Sequence, residues 1–350
     1  MSKGFRVSRR SLMLSAGLAG MAGLAAPAGF VRQARAASKP YHIALSNSYI
    51  GNQWRIEMVN LTQAYARKYH PHDVALSVTS SGTEVEKEIA AMDDMISRHV
   101  DAILVDPASE AGLNPVIAEA TRRGIVVVDF DHLVSAPSAY KVHVDFVKMG
   151  ELQGKWLAEA LGGKGNIIMN RGVPGFPGDI ALHKGAMNEL KQHPDIHVAT
   201  QVFGRWDETV SQAVITKALI AHPNLDGVLN QYGAYGAVQA FLSLHRKFVP
   251  MTGGDSNGWR LAMLKYKDQG LRGISCGDSA SLGAYALKIA VAVLDGKVVP
   301  KDIVIPIPTV TTDEVRAGVN AFPDLPPMVY TAIDIPGSGF QLTMNDALGK

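Results

Sequence analysis

From Tyr41 onward, short runs rich in β-branched residues alternate with stretches whose apolar positions recur at helical spacing. The strand-like runs are YHIALS (41–46), DVALSVT (73–79), DAILVD (101–106), GIVVVDF (124–130), GNIIMN (165–170), IHVATQV (196–202), DGVLNQ (226–231), FVPMTG (248–253) and LRGISC (271–276). They return about every 25–30 residues, the length of a βα unit. Several are apolar on both faces, as in a parallel sheet covered by helices on each side. Between them, Trp54, Met58, Leu61 and Tyr65 fall on one stripe of a helix, and Val85, Ile89, Met92 and Ile96 do the same. The pattern predicts an α/β chain with parallel sheets.

One run breaks the rhythm. AYKVHVD (139–145) follows a strand with no helix between, and the beat restarts at FVKMGELQGKWLAEAL. This places a lobe boundary near Val144–Asp145 and predicts two doubly wound lobes. G-x-G-x-x-G, P-loop and H-E-x-x-H motifs are all missing from the sequence, so no metal or cofactor signature points to an enzyme. No cofactor is expected.

The N-terminus changes the charge. SRRSLML (8–14) puts paired arginines ahead of an apolar run, and ARA (34–36) is an A-x-A cleavage pattern. The run from Leu12 to Val31 has ten Ala or Gly among twenty residues plus Pro27, weakly apolar for a membrane span. Residues 1–36 resemble a twin-arginine export signal. They hold six Lys or Arg and no acid, so their removal takes the chain from +2 to −4. A mildly acidic surface argues against nucleic acid as a partner. The single Cys276 excludes an internal disulfide, leaving an exported protein to be held by its core.

In open α/β sheets, ligands bind beyond the carboxyl ends of the strands. Unusual polar and aromatic residues gather at those junctions: Ser48, Asn52, Trp54 and Arg55 after the first strand, and DFDH (129–132) after the fourth. RGVPGFPGD (171–179), GRWDE (204–208), NQYGAYG (230–236), GGDSNGW (253–259) and CGDSAS (276–281) follow. Structural roles stand beside the functional ones: Asn52, Asp207 and Asp255 suit helix N-caps, Trp54 the core, and His132 a loop. Arg55 on a first helical turn opposes the helix dipole, so it needs an anionic or hydroxylated partner or else reaches solvent. Planar polar groups bind paired hydroxyls, and aromatic faces suit the C–H side of a ring. Carbohydrate or polyol fits this set, phosphate less well, and metal poorly, since no ligand spacing is visible.

These stretches resemble the type I periplasmic solute-binding proteins of ABC importers, in the ribose-binding-protein group. IALSNSYIGNQWR, DAILVDPASEAGLNPVIAEATRRGIVVVDFDH, HPNLDGVLNQYGAYGAVQA and MTGGDSNGWRLAMLK carry the match, which runs from about Tyr41 to Pro308. The resemblance implies two lobes joined by three strands: residues 40–144 with 278–306, and 145–277 with 307–350, the last carrying an extension beyond the match. It implies a soluble, monomeric periplasmic protein that hands its ligand to a permease and ATPase at the inner membrane, or serves a chemoreceptor or sensor kinase. By position it places Ser48, Asn52, Trp54, Arg55, Asp131, His132, Trp206, Tyr232 and Asp255 in the pocket. His132 stands where the ribose type has Arg, and a second Arg is missing around Asp179–Ile180. These departures argue against ribose, and the Trp54–Arg55 pair is closer to the hexose-binding branch. A hexose or a polyol is the expected cargo.

Overall fold

The computed structural model describes residues 39–350; the export signal expected at 1–36 lies outside the described residues. The first sheet gathers β1 (Tyr41–Asn47), β2 (Val74–Ser80), β3 (Ala102–Asp106), β4 (Val126–Phe130), β5 (Tyr140–His143) and β11 (Asp302–Val304) in the order β11-β5-β4-β3-β1-β2. All its pairings are parallel. The second gathers β6 (Lys164–Arg171), β7 (Asp195–Phe203), β8 (Gly227–Asn230), β9 (Met251–Gly253), β10 (Gly273–Cys276) and β12 (Thr309–Thr311) in the order β12-β10-β9-β8-β6-β7. Only its edge strand β12 runs antiparallel.

Burial explains the strand sequences. The five residues of β3 and of β4 are all buried, so both faces must be apolar, whereas edge strand β2 alternates between half-buried and exposed positions. Helices α1 (Gln53–Tyr69), α2 (Val85–Ser97), α3 (Asn114–Arg122) and α9 (Leu282–Leu294) cover the first sheet. Helices α4 (Phe146–Ala160), α5 (Pro177–Leu190), α6 (Glu208–Ala221), α7 (Ala234–Ser243) and α8 (Asn257–Lys265) cover the second. The chain crosses between the sheets after β5, after β10 and between β11 and β12. β11 and β12, each three residues long, were not among the predicted strands.

The tail departs from its expected place. The expected place of residues 307–350 is the second lobe, yet the terminal helix α10 (Met344–Ala347) packs on α1 of the first. Asn60 on α1 donates to the Ala347 carbonyl at 2.8 Å, and Lys68 pairs with Asp346 at 2.6 Å. Phe340 adds a ring 4.8 Å from that of Tyr65. The extension therefore begins on one sheet and ends on the other. Among the described residues, no helix is long and apolar enough to cross a membrane.

The α4–α5 contact yields a test with an inverted sign. A helical Gly→Ala change ordinarily stabilises by ~1 kcal/mol. At Gly185 an added Cβ would sit 1.9 Å from the Val147 carbonyl oxygen, a backbone atom that cannot swing aside. Gly185→Ala should therefore lower the melting temperature; an increase in a calorimetric scan would refute this packing.

Candidate functional site

Where the two sheets face each other, a cavity is lined by Asn52, Trp54, Arg55, Asp131 and His132 from the first lobe, by Phe146, Trp206 and Tyr232 from the second, and by Asp278 and Tyr330 from segments that run between them. Its centre is a buried guanidinium. Arg55 is 2% exposed; Nη1 bonds Asp106 and also Asn47 Oδ1 at 3.0 Å, while Nη2 lies 3.4 Å from Asp131 and 3.1 Å from His132 Nδ1. The partner that a cation on a helix's first turn requires is thus supplied by the ends of β3 and β4. Asn52 caps the same helix, accepting from the Arg55 N–H at 3.0 Å, and also lines the cavity. Its structural and functional roles coincide.

His132 completes the cluster, with Nδ1 3.0 Å from Asp131 and 3.2 Å from Asp106. Burial alone would lower its pKa, but Asp131 and Asp106 override that and hold it up at about 9. Burial likewise works against Asp131, yet the His132 and Arg55 charges keep it below the ordinary carboxylate value. Two cations thus face two acids, and the wall is close to neutral. Asp278, on the crossing from β10 to α9, is pushed well up by burial and then by Asp131; it accepts a hydrogen bond from the Tyr232 hydroxyl. The Asp278 carbonyl accepts from Trp54 Nε1 at 3.1 Å.

Asp106, Asp131 and His132 are a grouping of metal-compatible donors, which the linear spacing did not reveal. The Arg55 guanidinium already sits against all three, so the positive charge a metal would bring is in place.

The aromatic side comes mainly from the second sheet. Trp206 lies with its ring 5.6 Å from that of His132, and the Phe146 ring lies 5.8 Å from the same imidazole. Trp206 and the preceding Arg205 both have φ of 57°, and Asp131 has φ of 65°. Left-handed backbone at bulky residues costs on the order of 1–3 kcal/mol each and gathers at functional sites. Trp206 Nε1 donates to Gln231 at 3.1 Å, and Gln231 donates on to Asp179 at 3.0 Å. Asp179 in turn holds Arg171 at 2.6 Å. At Gly178 a Cβ would stand 2.6 Å from His132 Nε2, so only glycine lets the two sides meet here.

Of the residues expected in the pocket, Asn52, Trp54, Arg55, Asp131, His132, Trp206 and Tyr232 line it. Ser48 and Asp255 do not. Ser48 is fully buried, its N–H bonded to the Asp106 carbonyl at 3.2 Å. Asp255 turns away to accept from the Ala332 N–H at 3.1 Å, and it caps no helix. Asp207 is an N-cap, accepting from Val210 at 2.7 Å. Sequence reasoning missed Phe146, Asp278 and Tyr330; Asp278 stood in the flagged turn CGDSAS, whereas Tyr330 lies in a tail with no periodic signal.

Three other buried acids matter for stability. Burial lifts Glu57 to about 8, and Glu88 and Asp129 each to about 7. With His132 at about 9, the folded protein keeps protons that the unfolded chain would release. Raised groups stabilise fully below their unfolded pKa and lose that contribution as pH climbs through the folded one. The melting temperature should thus fall steadily between pH 5 and 9, and Glu88→Gln should flatten the part below about pH 7. A profile rising toward pH 9 would contradict the burial of these groups.

A family model described as a periplasmic binding protein domain matches residues 43–298. A xylitol-binding protein of Mycolicibacterium smegmatis is 30% identical over 264 residues, 71% of this chain and 72% of that protein. The ribose import binding protein of Bacillus subtilis is 26% identical over 77% of this chain and 87% of its own. Among solved structures, an ABC transporter solute binding protein from Thermobispora bispora superposes with a TM-score of 0.70 at 28% identity, covering 77% of this chain and 84% of that one. A periplasmic solute-binding protein from Actinobacillus succinogenes with bound D-allose gives 0.66 at 26% identity, over 79% and 99%. These are solute-binding proteins, not enzymes.

Proposed function

Because the chain belongs to the family of periplasmic binding protein domains, with the two parallel-sheet lobes of its type I fold, we propose that it captures a neutral monosaccharide or polyol between those lobes. On this reading it is exported to the periplasm, works as a monomer without a cofactor, and delivers its ligand to an ABC permease and its ATPase. The lobes divide as 40–144 with 278–306 and 145–277 with the strand at 309–311, hinging near Val144, Gly277 and Ile307.

The observation that carries the reading is the self-neutralised wall. Arg55 and protonated His132 present donors, Asp131 presents acceptors, and with Asp106 behind them the charges cancel. A neutral ligand rich in hydroxyls can donate to one and accept from the next without bringing a net charge into a dry site. An anionic ligand would meet Asp131 and a cationic one Arg55, each at an uncompensated cost. Trp54, Phe146, Trp206 and Tyr232 cover the C–H faces that such a ligand also presents. The relatives named for xylitol and ribose are consistent with a compact, neutral cargo.

A thermal-shift screen across pentoses, hexoses and polyols should find stabilising ligands, because binding to the folded state raises apparent stability by mass action. Calorimetric titration then tests the wall. A hydrogen bond to a charged group contributes roughly 1.5–3 kcal/mol, so Asp131→Asn should weaken binding by at least ~10-fold, and Trp206→Ala likewise. Unchanged affinity in both would show that the cluster only braces the lobes, and a screen yielding only anions or cations would overturn the neutral-ligand reading.

A further inference from the structure

The matched family domain ends at residue 298, yet one side chain of the cavity wall, Tyr330, comes from the chain beyond it. The path of that segment is held at every stage. It first binds the start of α8: Asn257 donates to the Phe322 carbonyl at 2.9 Å, and its N–H donates to the Val329 carbonyl at 2.8 Å. Arg260 reaches Thr331 Oγ1 at 3.0 Å, and Asp255 accepts from the Ala332 N–H. All of these anchors belong to the second lobe.

At Tyr330 the chain changes sides. Its N–H donates to both carboxyl oxygens of Glu57 on α1, each at 3.2 Å, while the same residue forms a β-bridge with Ser256 of the second lobe. From there the tail runs along the first lobe, where Tyr69 accepts from the Gln341 N–H at 2.9 Å, and it ends at the Lys68–Asp346 pair. The Tyr330 ring, 3% exposed, faces the cavity 6.2 Å from the ring of Tyr232. The crossing point and the ligand wall are thus the same residue.

We propose that residues 313–350 form a fourth inter-lobe strap, and that Tyr330, pinned at its crossing between Glu57 and Ser256, is a specificity-determining residue that limits ligand size. The proposal rests on the sugar or polyol reading of the cavity. Two consequences follow from the geometry. A ring fixed by its own backbone bonds to both lobes cannot retreat to admit a bulkier ligand, so the site is closed to substituents on that side. A strap bonded to both lobes also restrains how far they part when the cleft is empty.

The test has two arms. In the first, xylitol, D-ribose, D-allose and myo-inositol, with the methyl glycosides of the two sugars, are titrated against wild type, Tyr330→Phe and Tyr330→Ala. Tyr330→Ala should bind the best probe at least ~10-fold more weakly while losing less, or gaining, on the bulkier probes; Tyr330→Phe should keep the size ranking. An unchanged ranking in Tyr330→Ala would overturn the specificity role, and it would leave the sugar reading intact because binding was still observed. The second arm needs no ligand. Spin labels at Lys87→Cys on α2 and Lys155→Cys on α4, both exposed, report the inter-lobe distance, with the native Cys276 buried. Glu57→Ala should shift the unliganded distribution to longer distances, and Glu57→Gln, which keeps an acceptor for the Tyr330 N–H, should not. If Glu57→Ala does not fold, the pair Asn60→Ala and Lys68→Ala releases the far end of the tail and gives the same readout. An unaltered distribution in the folded variant overturns the strap, whatever the probes bind.

Discussion

A guanidinium taken out of water is the constraint around which this cleft is organised. Arg55 has almost no contact with solvent, and a buried charge is tolerated only when paired and hydrogen-bonded. Its partners come from the carboxyl ends of two neighbouring strands, Asp106 on β3 and Asp131 after β4, with His132 beside them. Those ends are brought together by parallel pairing, Val105 opposite Asp129 in the ladder. The sheet therefore does electrostatic as well as structural duty, and a register slip between β3 and β4 would strand a charge. Burial pushes Asp106 upward, and the Arg55 guanidinium pulls against that rise.

The second lobe answers with less charge and more surface. Trp206 is held by a relay of hydrogen bonds through Gln231 and Asp179 to Arg171, and its strained backbone aims the ring at His132. One jaw fixes donors and acceptors while the other fixes planes. Each is preorganised by bonds within its own lobe, so closing the cleft need order little beyond the ligand itself.

Much of this was legible along the chain, because buried parallel strands leave a strong signature. β3 and β4 are nearly continuous apolar runs, β1 and β6 carry the shorter cores Ile43–Leu45 and Ile167–Met169, and the stripe from Trp54 to Tyr65 marked α1. Arg55 announced its need for an anionic or hydroxylated partner, or for solvent, through its place on a first helical turn, and the structure supplies the acids. Direction was harder to read. Ser48 and Asp255 stand in the right loops but lie behind the wall, Asp255 accepting from a backbone N–H and Ser48 buried with its hydroxyl unpaired, and nothing in a loop's composition encodes that choice. Three-residue strands such as β11 and β12 are too short to show a period. Tyr330 was hidden for a different reason: its segment has no regular structure, and its position depends on contacts with Asn257, Asp255 and Glu57, far away in sequence.

The path of the tail also bears on the order in which the molecule can assemble during synthesis. The second lobe, apart from its edge strand β12, is written in one continuous stretch from α4 to β10. The first is not: it must wait for α9, then β11, and finally α10, whose Ala347 meets Asn60 across 287 positions of sequence. Contacts so distant carry their loop-closure entropy before they return any stability, and they slow folding. A nascent chain therefore has all of its second-written lobe but one edge strand while the first-written one still lacks an edge strand and a covering helix. The half of the protein that emerges first is the half that finishes last.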